Sequence, residues 1–124
     1  MYDLTPRKFE ELIASILEDF GLDVELTKST RDGGFDIYAY VRHAVASFLV
    51  LVECKKWERS QHVGIEIVQR LFGIQQNLRA SKSLIVTTSF FTSPAKEECR
   101  LYKGMMELKD FNDLKSWLEK YILQ

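Results

Sequence analysis

Residues 48–57 read FLVLVECKKW, an apolar strand that ends in a cluster of charged side chains. Because side chains alternate between the two faces of a strand, Leu49, Leu51, Glu53 and Lys55 share one face. That face starts apolar and becomes charged within two residues. A strand that merely ran out into solvent would show the same change, since Glu-x-Lys triplets are common. The pattern therefore predicts a carboxylate and an ammonium side by side at a strand end and leaves their role open.

The segments around this strand alternate between strand and helix patterns. Strand patterns cover residues 24–27, 36–41, 48–55, 83–89 and 105–108. Helices are predicted from Thr5-Pro6 to Gly21, over residues 61–79, from Ser93-Pro94 and from Asp110. The order is αβββαβαβα. Strands that are followed by crossover helices indicate an α/β fold, with a central mixed β-sheet flanked by helices.

The second predicted helix has apolar residues on two sides. One stripe runs along its whole length, and a second stripe, formed by Ile65, Val68 and Phe72, lies opposite. Such a helix is either buried on two faces within the domain or offers one face to a partner. Burial is the simpler interpretation, and a homodimer is the alternative.

Length and composition limit the class of protein. The 124 residues are 46% hydrophobic, with six Gly and two Pro, which is typical of one compact domain over residues 1–124. The longest apolar stretch, residues 44–52, is far shorter than the ~20 residues of a membrane helix. Acidic side chains within the first twenty residues argue against a secretory signal. Two cysteines are too few for a disulfide framework. We expect a cytoplasmic protein that has no membrane partner.

Charge is distributed unevenly along the chain. The formal net charge is −1, which is not typical of a protein that binds nucleic acid. However, residues 1–53 hold five basic and ten acidic side chains, whereas residues 54–103 hold nine basic and four acidic ones. Solvated helix faces can segregate charge in this way. The alternative interpretation is a carboxylate-rich site beside a surface that binds phosphates.

A divalent cation would suit the carboxylate on the strand. Asp36 opens the preceding strand, after a Gly-Gly turn at residues 33–34, and neighbouring antiparallel strands lie ~4.8 Å apart, so Asp36 can face Glu53. Mg²⁺ prefers oxygen ligands, usually one or two carboxylates with waters, and the backbone carbonyl of Cys54 would add a third oxygen. The spacing therefore predicts a magnesium site shared by two strands.

Two further side chains extend this hypothesis. Lys55, close to the ion, would orient an attacking water and offset the charge that builds on a phosphate. Helical geometry places Glu10 at the border of the buried face of the first helix and Glu11 in solvent. If a carboxylate of this helix reaches the sheet, Glu10 is the candidate, although a boundary Glu is equally ordinary in a structural amphipathic helix.

Four segments in a fixed order resemble a known family. They are LTPRKFEEL at residues 4–12, TRDGGFDI at 30–37, VECKKW at 52–57 and IVTTSFFT at 85–92. Together they resemble the Mrr-like restriction endonuclease domain of the PD-(D/E)xK nuclease superfamily. The resemblance implies a restriction-endonuclease-like fold and a Mg²⁺-dependent DNA endonuclease, with Mn²⁺ as a substitute, in a cytoplasmic protein of prokaryotic or phage type.

The resemblance also implies roles for individual residues. Asp36 and Glu53 would be metal ligands, Lys55 the catalytic lysine and Glu10 the acid on the helix. Phe35 stands where the superfamily name has a proline, which is ordinary in the Mrr branch. Many Mrr-like domains carry Gln where this chain has Glu53, so the metal-binding acid is present here.

Basic and aromatic side chains near the strand end are candidates for contact with DNA. Lys56, Trp57 and Arg59 combine charge with a stacking surface, which suits the DNA backbone. Arg31, before the Gly-Gly turn, would reach a phosphate through its guanidinium. Surface-loop and core-packing roles are alternatives. Gln69 and Arg70, on the second helix, are candidates to approach the site, but the sequence does not fix their position.

Two other functions fit the same residues. One is a homodimeric nuclease similar to the Holliday-junction resolvases, which would act on branched instead of double-stranded DNA. The other is a DNA-binding module of the same fold without catalysis, although all four polar positions of the predicted site are filled. Mrr-type enzymes usually join this domain to a separate DNA-recognition domain, for which 124 residues leave no room, so we expect either a fragment of a larger protein or a stand-alone nuclease similar to the junction resolvases. A role in restriction and a role in DNA repair both stay open.

Overall fold

The computed structural model describes residues 4–27 and 35–123, and within them the elements follow the predicted order. The helices are α1 (Pro6–Asp19), α2 (Ile65–Leu78), α3 (Ser93–Leu101) and α4 (Phe111–Leu123). The strands are β1 (Asp23–Leu26), β2 (Ile37–Arg42), β3 (Ser47–Lys55), β4 (Lys82–Thr87) and β5 (Met106–Lys109). The predicted Gly-Gly turn at residues 33–34 lies outside the described residues, as does Arg31.

The strands form one mixed sheet in the order β1-β2-β3-β4-β5. The pairs β1–β2 and β2–β3 are antiparallel, whereas β3–β4 and β4–β5 are parallel. Parallel neighbours need a crossover connection, and α2 and α3 provide these two crossovers. The predicted α/β fold with a central mixed sheet flanked by helices is confirmed. β3 is the central strand, between β2 and β4. Because helices cover both faces of the sheet, side chains from either face can reach the charged end of β3.

The helices cover both faces of the sheet and form two apolar clusters. On one face, α1 and α4 pack against the sheet through residues such as Phe9, Ile13 and Leu114. On the other, α2 and α3 pack through residues such as Leu71 and Ala95. No helix in the described part of the chain is long and apolar enough to cross a membrane.

Local signals in the sequence explain where α1 begins and ends. The Thr5 side chain accepts a hydrogen bond from the Lys8 N–H (3.1 Å), and Pro6 occupies the first helical position. Gly21, just beyond the helix, adopts a φ of 99°, which favours glycine. Phe9 and Ile13 are fully buried, so this helix has a fixed rotation against the sheet.

Several element boundaries differ from the sequence prediction. β2 begins at Ile37, so Asp36 lies just before the strand. α2 begins at Ile65 and not at residue 61, because Val63 forms an isolated parallel bridge with Phe91 instead. The helix α3 begins at Ser93, but its N-cap is Thr92, whose side chain accepts from the Ala95 N–H (3.2 Å), so the N-cap that the Ser93-Pro94 pattern predicted is one residue late.

Two of the three residues in the second apolar stripe of α2, Val68 and Phe72, pack within the domain. Val68 is fully buried, and the ring of Phe72 stacks on Tyr102, which directly follows α3, with 3.7 Å between the ring centroids. The simpler interpretation of this stripe therefore applies, and the stripe gives no support to a homodimer.

Candidate active site

An open cleft of about 280 Å³ lies where β2 begins and β3 ends. Three carboxylates and three cations line it: Glu10, Asp36, Glu53, Lys55, Lys56 and Arg70. They come from α1, from the residue before β2, from the end of β3 and the residue after it, and from α2. The four residues that the sequence predicted for the catalytic centre thus share one cleft, together with a cation that the sequence did not place.

Asp36 is fixed against the end of β3 by backbone hydrogen bonds. Its N–H donates to the Val52 carbonyl (2.8 Å), and its Oδ2 accepts from the Cys54 N–H (2.6 Å). The antiparallel register pairs Ile37 with Val52, so the residue before Ile37 lies beside Glu53. The sheet therefore holds the Asp36 carboxylate next to the charged end of β3.

The carbonyl of Cys54 points toward the same side of β3 as Asp36. The Lys55 carbonyl faces β4, because it accepts from the Thr87 hydroxyl (2.7 Å) and from the Thr88 N–H (3.2 Å). Successive backbone groups along a strand point to opposite sides, so the Cys54 carbonyl faces the other way, as its N–H does. This orientation fits the oxygen that the sequence assigned to the metal site.

Glu53 is a buried carboxylate whose two oxygens are unequally paired. The residue is 2% exposed. Its Oε2 lies 3.1 Å from Lys55 Nζ and also accepts a hydrogen bond from Arg70, whereas its Oε1 is buried and has no hydrogen-bond partner among the described residues. Burial raises the pKa of Glu53, although Lys55 and Arg70 act in the opposite direction. A buried carboxylate oxygen without a partner is unfavourable unless a hydrogen-bond donor or a further cation binds it.

Glu10 reaches the cleft from α1 in the way that helical geometry predicted. Its side chain is 15% exposed, whereas that of Glu11 is 45% exposed. Arg7 lies 2.9 Å from Glu10 Oε1 and also donates to the Thr27 carbonyl (2.9 Å). Burial and the neighbouring Asp36 carboxylate both raise the pKa of Glu10. Two carboxylates therefore approach each other here, as in a site that holds a cation.

The end of β4 positions the segment that follows β3. Thr87 and Thr88 are fully buried, and their hydroxyls donate to the carbonyls of Lys55 and Trp57, each at 2.7 Å. The Thr87 bond reinforces the last strand pair, and the Thr88 bond continues the pairing of β3 and β4 beyond it. They belong to the IVTTSFFT segment of the family resemblance, to which the sequence had assigned no role. Lys55 Nζ lies 5.8 Å from the centre of the Trp57 ring, so the aromatic ring flanks the ammonium.

The predicted DNA contacts fall in different places. Lys56 and Trp57 line the cleft. Arg59 is exposed beyond it, with its guanidinium 4.9 Å from the centre of the Phe111 ring. The cleft therefore has a basic and aromatic border on the side where the chain leaves β3.

The donors in the cleft suit a hard divalent cation. Within residues 4–27 and 35–123, no three His, Cys, Asp or Glu side chains form a group that could hold a metal ion by themselves. Mg²⁺, however, usually takes only one or two carboxylates and fills its other positions with carbonyls, phosphates or water. Asp36, the partnerless Oε1 of Glu53 and the Cys54 carbonyl supply oxygen donors of this kind. The residues present fit the predicted ion.

Reasoning from the sequence missed the role of Arg7 and did not place Arg70. Arg7 holds Glu10, and this pairing was detectable, because residues three apart are neighbours on a helix. Arg70 reaches Glu53 across seventeen positions of the chain. No local pattern could reveal that contact, because it depends on how α2 packs across the sheet.

The described residues form a mixed five-stranded sheet with helices on both faces, and with acidic residues and a lysine at the ends of two neighbouring strands, as expected for a nuclease domain of the restriction-endonuclease type. The family described as "Restriction endonuclease" (Mrr_cat) matches residues 1–118. The chain belongs to this Mrr catalytic-domain family of restriction endonucleases. The family that the sequence segments predicted is therefore confirmed.

Individual relatives agree with this family. The type IV methyl-directed restriction enzyme EcoKMrr of Escherichia coli K12 is 26% identical over 112 residues, which is 86% of this chain and 36% of EcoKMrr. An uncharacterized protein of Sinorhizobium fredii is 29% identical over 94% of this chain and 30% of its own length. The chain thus spans about a third of these curated relatives.

Solved structures show the same fold. The DNA modification-dependent restriction endonuclease AspBHI superposes with a TM-score of 0.79 at 22% identity, over 97% of this chain and 32% of AspBHI. The restriction endonuclease MspJI, solved in complex with a 27-mer oligonucleotide, gives a TM-score of 0.74 at 23% identity, over 98% of this chain and 29% of MspJI. These likenesses confirm the restriction-endonuclease-like fold.

Proposed function

We propose that this chain is the catalytic domain of a Mg²⁺-dependent DNA endonuclease that hydrolyses phosphodiester bonds. The cleft that gathers Asp36, Glu53 and Lys55 is the observation that carries the proposal. Membership of the Mrr catalytic-domain family supports the reaction class. The oligonucleotide bound to MspJI and the restriction activity named for EcoKMrr support DNA as the substrate.

Oxygen donors of the cleft would hold the cation. Asp36, Glu53 and the Cys54 carbonyl are its proposed ligands, and Glu10 faces them from α1. The chemistry that Mg²⁺, or Mn²⁺ in its place, supplies when bound is activation of the attacking water and neutralisation of charge on the phosphate.

Lys55 would act on the reacting phosphate. Its ammonium lies 3.1 Å from Glu53. Its side chain is 24% exposed, so a substrate in the cleft could contact it. A cation in a partly desolvated site stabilises the negative charge that develops during phosphodiester hydrolysis. The bonds from Thr87 and Thr88 to the segment after β3 would keep this ammonium in place.

Lys56 and Trp57 would bind the DNA backbone next to the scissile phosphate, and Arg59 would extend this contact. Residues 54–103, which carry the excess of basic side chains, supply all three. Arg31 stays a predicted phosphate contact. Because the chain spans only about a third of its curated relatives, a separate DNA-recognition domain in the whole protein also stays a prediction.

Nicking of a supercoiled plasmid tests the proposal. We expect the wild-type protein to convert supercoiled plasmid to open circles in Mg²⁺ or Mn²⁺, and to be inactive when EDTA removes the cation. Lys55→Ala should lower the rate about 10²–10³-fold, as the loss of one group that stabilises the transition state does, and Asp36→Ala at least as much. Glu11→Gln, on the exposed side of α1, is the matched control and should retain full activity.

Two outcomes would contradict the proposal. Equal nicking by wild type, Asp36→Ala and Lys55→Ala would show that this cleft does not catalyse the reaction. Binding of duplex DNA without cleavage in either cation would favour the non-catalytic module of the same fold. A comparison of branched and linear duplexes in the same assay tests the resolvase alternative, which requires preferential cleavage of the branched substrate.

A further inference from the structure

Arg70 is a cation of the cleft for which the proposed reaction has so far no role. It lies on α2, across the sheet from α1, and its guanidinium donates to Glu53 Oε2. Its side chain is 48% exposed, whereas that of Glu53 is 3% exposed. A half-exposed arginine thus reaches inward to a carboxylate that is almost completely shielded from water.

The two carboxylate oxygens of Glu53 differ in their contacts. Oε2 contacts both Arg70 and Lys55, while Oε1 is buried and has no hydrogen-bond partner among the described residues. A carboxylate that served only a structural ion pair would be expected to satisfy both oxygens, because a partnerless buried oxygen is unfavourable. In the free protein the two cations therefore compensate the charge of Glu53 and leave one oxygen available to another ligand.

The two cations differ in how readily they can leave Glu53. Lys55 follows Glu53 by two residues on the same strand face and lies beside the Trp57 ring. Arg70 is attached to a different element, is more exposed and has a long side chain that can turn toward the mouth of the cleft. Its planar guanidinium also matches a phosphate group, to which it can donate two parallel hydrogen bonds.

We propose that Arg70 occupies Glu53 as a substitute cation in the free protein, leaves it when a divalent cation binds, and then binds a phosphate of the DNA. A divalent cation on Glu53 and Asp36 repels the guanidinium, and an incoming phosphate attracts it, so both binding events favour the same movement. The inference rests on the proposed function, because it needs the cation and the DNA that the proposed function supplies.

Cation binding without DNA tests the first half of the inference. Mn²⁺ is titrated into the wild-type protein, Arg70→Ala, Arg70→Gln and Arg100→Ala, and binding is followed by calorimetry or by electron paramagnetic resonance. We expect both Arg70 variants to bind Mn²⁺ at least threefold more tightly than wild type, because only Lys55 then competes with the ion for Glu53. Arg100→Ala removes one positive charge from an exposed position on α3 and should leave the affinity unchanged.

DNA binding tests the second half. The affinity of the same proteins for a short fluorescent duplex is measured by anisotropy in Ca²⁺, another hard cation with oxygen ligands. We expect Arg70→Ala and Arg70→Gln to bind the duplex about tenfold more weakly, as for the loss of one charge-assisted hydrogen bond to a phosphate. Arg70→Gln keeps a side chain of similar reach, so it serves if Arg70→Ala is unstable.

The outcomes separate this inference from the function on which it rests. If wild type binds Mn²⁺ and both Arg70 variants bind it equally or more weakly, the substitute-cation role is wrong while the metal site stands. Unchanged duplex affinity in both variants would overturn the phosphate contact. If wild type does not bind Mn²⁺, or if Asp36→Ala binds it as well as wild type, the metal site itself is wrong.

Discussion

The buried carboxylates of the cleft are its proposed catalytic groups, and their burial reduces the stability of the free protein. Glu53 is almost completely shielded from water, and Glu10 lies beside Asp36 with its pKa raised by burial and by that neighbour. Such charges persist in a fold when function requires them, since apolar or neutral replacements are often more stable. The residue scale therefore predicts a conflict between stability and activity at these positions.

Glu10→Gln should stabilise the free protein while it lowers activity. The amide oxygen can accept from Arg7 as Glu10 does, and the amide NH₂ can donate to Asp36 where two carboxylates now repel each other. We expect the melting temperature at pH 8 without metal to rise by about 2 °C or more, and the nicking rate in Mg²⁺ to fall about tenfold or more.

The pH dependence provides the check on the stability effect. A carboxyl group whose pKa is raised in the folded state binds its proton more tightly there, so the folded state loses stability as the pH rises from 4.5 through the raised pKa. The advantage of Glu10→Gln over wild type should therefore be small near pH 4 and grow toward pH 8. Glu11→Gln, the exposed neighbour, should show no such growth, and a Glu10→Gln protein that is less stable at pH 8 would contradict the account.

At the scale of elements, sequence signals predicted a helix boundary correctly where residues within one turn determine it. The cap and proline at Thr5-Pro6 gave the start of α1 because they act within one turn. The predicted start of α2 was wrong because the Val63 backbone pairs with residues 90–92. The local helical pattern does not encode this contact. Tertiary pairing overrode helix propensity at that point.

In the candidate site too, the contacts between neighbouring residues or strands were predictable from the sequence, and the contacts between distant elements were not. The shared face of Glu53 and Lys55 follows from strand alternation, and the approach of Asp36 follows from antiparallel pairing of neighbours. The bond from Arg70 to Glu53 and the hydroxyl bonds from Thr87 and Thr88 arise from elements that meet only after folding. Sequence patterns predict such contacts only where the register between the elements is known.

The corrected N-cap of α3 gives a direct test at this scale. Thr92 and Ser93 are adjacent, but only the Thr92 side chain accepts the Ala95 N–H. Thr92→Ala should lower the free energy of unfolding by about 1 kcal/mol, the usual cost of losing an N-cap, whereas Ser93→Ala should change it by less than about 0.5 kcal/mol. Urea denaturation measures both free energies of unfolding. A larger loss of stability in Ser93→Ala than in Thr92→Ala would favour Ser93 as the N-cap, as the sequence predicted.

At the scale of the whole molecule, the net charge of −1 is the sum of an acidic first part of the chain and a basic second part. The acidic excess of residues 1–53 includes Glu10, Asp36 and Glu53, which the fold gathers in one cleft. The basic excess of residues 54–103 begins with Lys55 and Lys56 on the border of the same cleft. A bound divalent cation would offset part of the acidic charge, so a near-neutral total is compatible with a DNA substrate.

Salt dependence measures how this charge meets DNA. Each phosphate contact contributes a slope of about −0.9 to the logarithm of the binding constant against the logarithm of the salt concentration. Lys56→Ala should reduce the magnitude of this slope by about one unit and weaken binding equally across duplex sequences. Lys96→Ala, an exposed lysine on α3, removes the same charge and should leave the slope unchanged. An unchanged slope in Lys56→Ala would remove this residue from the DNA contact.

The metal site is the central claim, and anomalous diffraction from a crystal of the protein soaked in Mn²⁺ tests it most directly. The account predicts an anomalous peak in the cleft, within about 2.3 Å of a carboxylate oxygen of both Asp36 and Glu53. A peak that contacts neither carboxylate, or the absence of a peak in the cleft at saturating Mn²⁺, would contradict it.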